Sequence, residues 1–144
     1  MSGNTKKRRW PVIALIILTI AVIVICALPF SSVMYFTHEE NGEIVSSPSF
    51  MPYFSFMHLG YGDWATNLVA YGSCSLLVLL LLQLFYARRW VKILTFVLIL
   101  FQLLMVGLAF LYAVTAFHFI IFGCYILVGI LSGVDTFLLD LKDV

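Results

Sequence analysis

Four long apolar stretches divide the chain, at about 10–36, 64–86, 91–115 and 119–139. Each meets the roughly 20 apolar residues needed to cross a bilayer core about 30 Å thick. The last two nearly fuse, so a turn is required between them, and Thr115-Ala116-Phe117-His118 is the place that suits it. The pattern predicts an all-α membrane protein: one domain over 1–144, four transmembrane helices, and a polar loop at 37–63.

Composition supports that class. Hydrophobic residues make up 63% of the 144 and charged residues 10%, and the mean hydropathy is +1.10. Soluble domains are about half apolar and about a quarter charged, and disordered chains are more polar still.

Charge then orients the helices. Every Lys and Arg falls in three places: Lys6 to Arg9, Arg88 to Lys92, and Lys142. With four crossings these lie on one side, which the positive-inside rule makes cytoplasmic. The expectation is a multi-pass cell-membrane protein with both termini inside and the 37–63 loop outside. That loop carries Glu39, Glu40, Glu43 and Asp63 and no Lys or Arg. Trp10, Tyr86 and Trp90 sit at the expected inner boundary, and Tyr35, Trp64 and Tyr112 near the outer one, as amphipathic rings prefer. No small-residue cleavage pattern precedes Cys26 or Ser31, so the first helix is read as retained.

The outer loop reads in two halves. Asn41-Gly42 suits a tight turn. Ser47-Pro48 resembles a helix cap followed by proline in the first turn. Phe50, Tyr53, Phe54, Met57 and Tyr61 then recur at helical spacing, predicting a short amphipathic helix that either packs as a lid on its own helices or turns its aromatic face to a partner or the membrane surface. Pro52 would shorten or kink that helix.

Inside the helices, Gly129 and Gly133 form G-x-x-x-G, and Ala109 and Ala113 repeat the small-residue spacing; both mark expected helix contacts. Gln83, Gln102, Asn67, Ser73 and Ser75 are expected to bond between helices. Asp135 falls near the inner end of the fourth helix, where it would reach headgroup water or pair with Arg88, Arg89 or Lys92. His38, His58, His118 and Asp63 all map to the outer side. They are weak metal candidates, because compact ligand spacing is absent and no cofactor is expected. The sequence contains no H-E-x-x-H, phosphate-binding loop, G-x-S-x-G or C-x-x-C pattern, and no catalytic residue is assigned.

The layout of four helices with a large first outer loop is similar in outline to tetraspan families such as the claudins. The Trp–Gly–Leu–Trp loop signature and paired loop cysteines of that family are missing. Gly60-Tyr61-Gly62-Asp63-Trp64 stands in the loop instead, and no family is assigned.

The functional expectation is a non-enzymatic accessory, regulatory, immunity-type or assembly subunit. It would contact lipid and another membrane protein or itself, with no role for nucleic acid. A small oligomeric channel or transporter component is the alternative. A membrane enzyme using the outer His and acidic residues is the third reading. A cysteine placed at Glu40 should react with a membrane-impermeant maleimide on intact cells. Reaction only after lysis would reverse the assigned topology.

Overall fold

The computed structural model describes residues 9–60, 63–86, 88–111 and 114–139. Its elements are α1 (Trp10–Ala27), β1 (Ser32–Glu40), β2 (Glu43–Met51), α2 (Met57–Gly60), α3 (Trp64–Phe85), α4 (Arg89–Ala109) and α5 (Ala116–Gly133). A π-helical turn, Val134–Leu139, continues α5. Four helices, α1, α3, α4 and α5 with its extension, are long and apolar enough to cross a membrane.

The four long helices form a ring in which α1 and α4 each pack on α3 and α5. Chain direction alternates around the ring. The Tyr53 amide donates to Cys26 at the end of α1, and Asn67 at the start of α3 donates to Tyr53. The Thr115 hydroxyl before α5 donates to Ser31. The end of α1 and the starts of α3 and α5 therefore share one end of the bundle with the hairpin. Arg9, Arg88, Arg89 and Lys92 share the other.

The bundle is apolar outside and spotted with polar groups inside. Ile17, Leu104 and Ile130 are each about 60% exposed, while Thr19, Ser73, Gln102 and Asp135 are buried. In water that arrangement would be costly; in lipid the outer apolar surface loses nothing. The buried polar groups are tied to neighbours. Ser73 on α3 bonds Tyr125 on α5 across the middle of the ring. Gln102 Nε2 donates to the Leu68 carbonyl at 3.3 Å. Of the three basic residues open to it, Asp135 pairs with Lys92, at 3.5 Å. Gln83 Nε2 donates to the same carboxylate oxygen at 2.9 Å.

Three sequence expectations are corrected. The turn expected at Thr115 to His118 falls earlier in the chain, since α4 ends at Ala109 and Ala116 already opens α5 behind the Thr115 cap. The first helix stops at Ala27, because Leu28 precedes Pro29 and takes an extended conformation (φ −64°, ψ 137°), as steric contact with a proline ring requires. The amphipathic helix expected from Ser47 is a strand up to Met51, and only Met57–Gly60 is helical. The turn decides this. Asn41 and Gly42 both adopt positive φ, 54° and 83°, the geometry that matches the twist of paired strands. The chain then folds back as an antiparallel pair from Glu40↔Glu43 to Ser32↔Met51.

Close helix approach also differs in place from the small-residue motifs. Gly129 and Gly133 do face α4. A Cβ on either would sit at ordinary contact distance from Ile99, Leu103 or Phe96, 3.5–3.7 Å. Ala109 is buried, and Ala113 lies outside the described residues. The tight contact is Gly72, where a Cβ would overlap the Gln102 amide. Gly72→Ala should therefore displace Gln102 from Leu68 and lower stability in detergent by about 1–3 kcal/mol. Gly129→Ala and Gly133→Ala should stay within about 1 kcal/mol of wild type. Equal melting temperatures for all three would remove the assigned contact.

Candidate functional site: the hairpin and the polar knot beneath it

The hairpin stands on a buried set of polar residues drawn from four parts of the chain. Ser31 and Ser32 come from the strand's root, His58 from α2, Asp63 and Asn67 from the start of α3, and Thr115 and His118 from the start of α5. Asp63 caps α3: its carboxylate accepts from the Thr66 amide at 3.3 Å and from the Thr66 hydroxyl at 2.7 Å. Such a cap is worth about 1 kcal/mol. The same carboxylate lies 3.1 Å from His58 Nδ1, off the line of a good hydrogen bond. Asn67 Nδ2 donates to the carbonyls of Tyr53 and Ser55, at 2.7 and 3.0 Å. His118 Nδ1 accepts from the Thr115 amide at 3.2 Å, closing the first turn of α5. Tyr53 is fully buried and its ring packs on His118, centroids 5.2 Å apart. Burial pushes the Tyr53 phenol up, so it stays protonated.

Ser32, His58 and Asp63 follow one another like a nucleophile, base and orienting acid. Ser32 Oγ is 3.3 Å from His58 Nε2, and Nδ1 faces Asp63. Two features stand against that chemistry. Nε2 is also 3.2 Å from the Pro52 carbonyl, which can only accept. In the tautomer that donates from Nε2 to Pro52, that nitrogen has no lone pair for the serine proton, which nucleophilic activation needs. Ser32 and His58 are 1% and 0% exposed, closed to an incoming substrate. The group acts as a latch between the hairpin's root, α2 and α3.

The sequence-predicted partner face is dispersed. Phe50 is 60% exposed on β2. Tyr53 is buried in the knot. Phe54 is half-buried, edge-on to Tyr71 at 5.3 Å. Met57 is 51% exposed at the start of α2, and Tyr61 lies outside the described residues. The histidines separate too. His38 is near the exposed tip with Nε2 3.8 Å from Glu40, far along the hairpin from His58 and Asp63. Among the described residues, no three metal-ligating side chains cluster.

What projects is the hairpin. Each strand has nine residues, a reach of about 30 Å. Val33, Tyr35, Thr37 and Glu39 share one face with their cross-strand partners Phe50, Pro48, Ser46 and Ile44. Tyr35 and Ile44 on that face are 62% and 82% exposed. At its foot the face meets the 114–117 segment around a cavity of about 450 Å³ lined by Phe30, Val33, Tyr35, Phe50, Thr115 and Phe117. Sequence reasoning missed this surface, and the β-branched and aromatic run from Val33 to Thr37 leading to Asn41-Gly42 was its signal. No family model, curated protein or solved structure matches the chain.

Asp63→Ala should cost about 1–2 kcal/mol more than Asp63→Asn, since the amide oxygen keeps the helix cap. A serine-reactive fluorophosphonate should leave Ser32 unlabelled in the folded protein. Labelling that depends on both His58 and Asp63 would replace the latch with a catalytic reading.

Proposed function

We propose that this chain is a small multi-pass membrane protein that works by contact, as an accessory or assembly subunit. Its hairpin, on the non-cytoplasmic side, engages another membrane protein. The observation that carries this reading is the hairpin itself: exposed Tyr35, Ile44 and Phe50 on one face, held over a buried latch. A two-stranded hairpin is marginally stable in water by itself, and an exposed apolar face of this kind gains by being covered. The one-sided placement of the basic residues supports the orientation. The exposed apolar side chains along the four long helices support the membrane setting.

The conduit reading has less behind it. Thr19, Ser73, Thr95 and Gln102 in the bundle interior all bond to backbone or to a neighbouring helix. The enzyme reading is weakened by the Pro52 carbonyl at His58.

A photo-crosslinking residue at Ile44 or Phe50 should yield a discrete protein adduct in cells. The same residue at Val97, which is 54% exposed on α4, should capture lipid. Lipid adducts alone from all three positions would overturn the proposal and make the hairpin a membrane-surface anchor.

A further inference from the structure

Among the described residues no third strand joins the hairpin, and its two outer edges are chemically different. Glu40 and Glu43 flank a two-residue turn, so they exchange both ladder bonds, and the pairs alternate from there. Pairs 38↔45, 36↔47, 34↔49 and 32↔51 are then hydrogen-bonded, and the pairs between them are not. The residues of the second set turn their backbone amides away from the partner strand. On β2 these are Ile44, Ser46, Pro48 and Phe50; on β1 they are Val33, Tyr35, Thr37 and Glu39. Pro48 thus sits where the ladder needs no donor from it, and it deletes the central donor of the outer β2 edge. Proline in that position is how sheets blunt an edge. The β1 edge has no proline. Its root is covered, since Val33 is buried and Thr115 holds Ser31, but Tyr35, Thr37 and Glu39 are exposed.

Resting on the contact function above, we propose that the β1 edge at Tyr35–Glu39 accepts an extended segment of a partner protein that is apolar at the end meeting Tyr35 and basic at the end meeting Glu39. Added strands gain affinity from main-chain bonds and specificity from alternate side chains. Here the side chains on that face would meet Glu39 towards the tip and the aromatic-lined cavity at the root. Glu39, Glu40 and Glu43 crowd the tip, and no Lys or Arg occurs from Trp10 to Ala87, so complementarity calls for a cationic partner. A second copy of β1 offers no Lys or Arg.

The test uses the full-length protein in detergent with two probes: a short extended peptide with a Val-rich half and a Lys-rich half, and its Val–Glu counterpart. The Val–Lys peptide should bind and protect the Tyr35, Thr37 and Glu39 amides from exchange; the Val–Glu peptide should not. Thr37→Pro removes one outward donor, as Pro48 does on β2, and should weaken binding roughly tenfold or more. Ser46→Pro, directly across the pair, should leave it unchanged. Glu39→Lys keeps the backbone intact and should weaken binding several-fold; it decides the matter if Thr37→Pro frays the hairpin. Binding indifferent to Thr37→Pro with the hairpin intact, loss only with Ser46→Pro, or equal binding of both peptides would overturn the proposal. So would a Thr37→Pro change in oligomeric state without peptide, which would make the occupant a second copy. The two readings fail separately. If the hairpin crosslinks only lipid, the contact function falls. If protein adducts at Ile44 persist in Thr37→Pro, only the edge assignment falls.

Discussion

Helices surrounded by lipid have no hydrophobic reason to prefer one another, because acyl chains are as apolar as leucine. What joins them must be close packing and polar bonds shielded from water. This bundle places such bonds at three depths. Gln83, Lys92 and Asp135 bond at the basic end, Ser73 with Tyr125 and Gln102 with Leu68 in the body, and the Ser32–His58–Asp63 latch at the hairpin end. A buried ion pair such as Lys92–Asp135 contributes little net stability once desolvation is counted, yet it penalises every arrangement that separates its partners. Its work is to select which faces of α3, α4 and α5 meet.

The latch extends the same logic beyond the helices. Its residues bring the hairpin's root, α2 and α3 together by side chains that are almost fully buried. The hairpin is therefore an outgrowth of the bundle rather than a loop tethered to it. The Tyr53 amide shows how closely: it donates to Cys26 on α1 and faces the Ser31 hydroxyl. Pocketing a tyrosine and two histidines in this place leaves the exposed aromatic surface to the strands.

The four long helices were legible because a long apolar run has few other solutions. The second matched within a residue, Trp64–Phe85, and the Lys92 partner of Asp135 stood among three choices. The first helix was overrun because hydropathy continues through Leu28-Pro29-Phe30; the proline's effect on the residue before it was the stronger signal. The hairpin was misread for a different reason. Phe50, Tyr53, Phe54 and Met57 do have helical spacing, and Ser47-Pro48 is a plausible cap. Strand pairing across Asn41-Gly42 is a non-local term that no window on one strand contains. The latch was half visible: His58, His118 and Asp63 were placed on the same side, but a polypeptide read linearly does not reveal that Ser32 and Thr115 join them.

The reach of one contact sets an order of events during synthesis. The Thr115 hydroxyl bonds the Ser31 carbonyl 84 positions earlier in the chain, and the His118 ring covers Tyr53. The hairpin can pair its strands as soon as it emerges, since all its ladder bonds are local. Its foundation is complete only when the last helix has been inserted. Until then a nascent chain carries a hairpin held at its root by the Ser32–His58–Asp63 latch and Asn67. A ribosome that stalls before α5 would leave a species whose hairpin is present and whose foundation lacks Thr115 and His118.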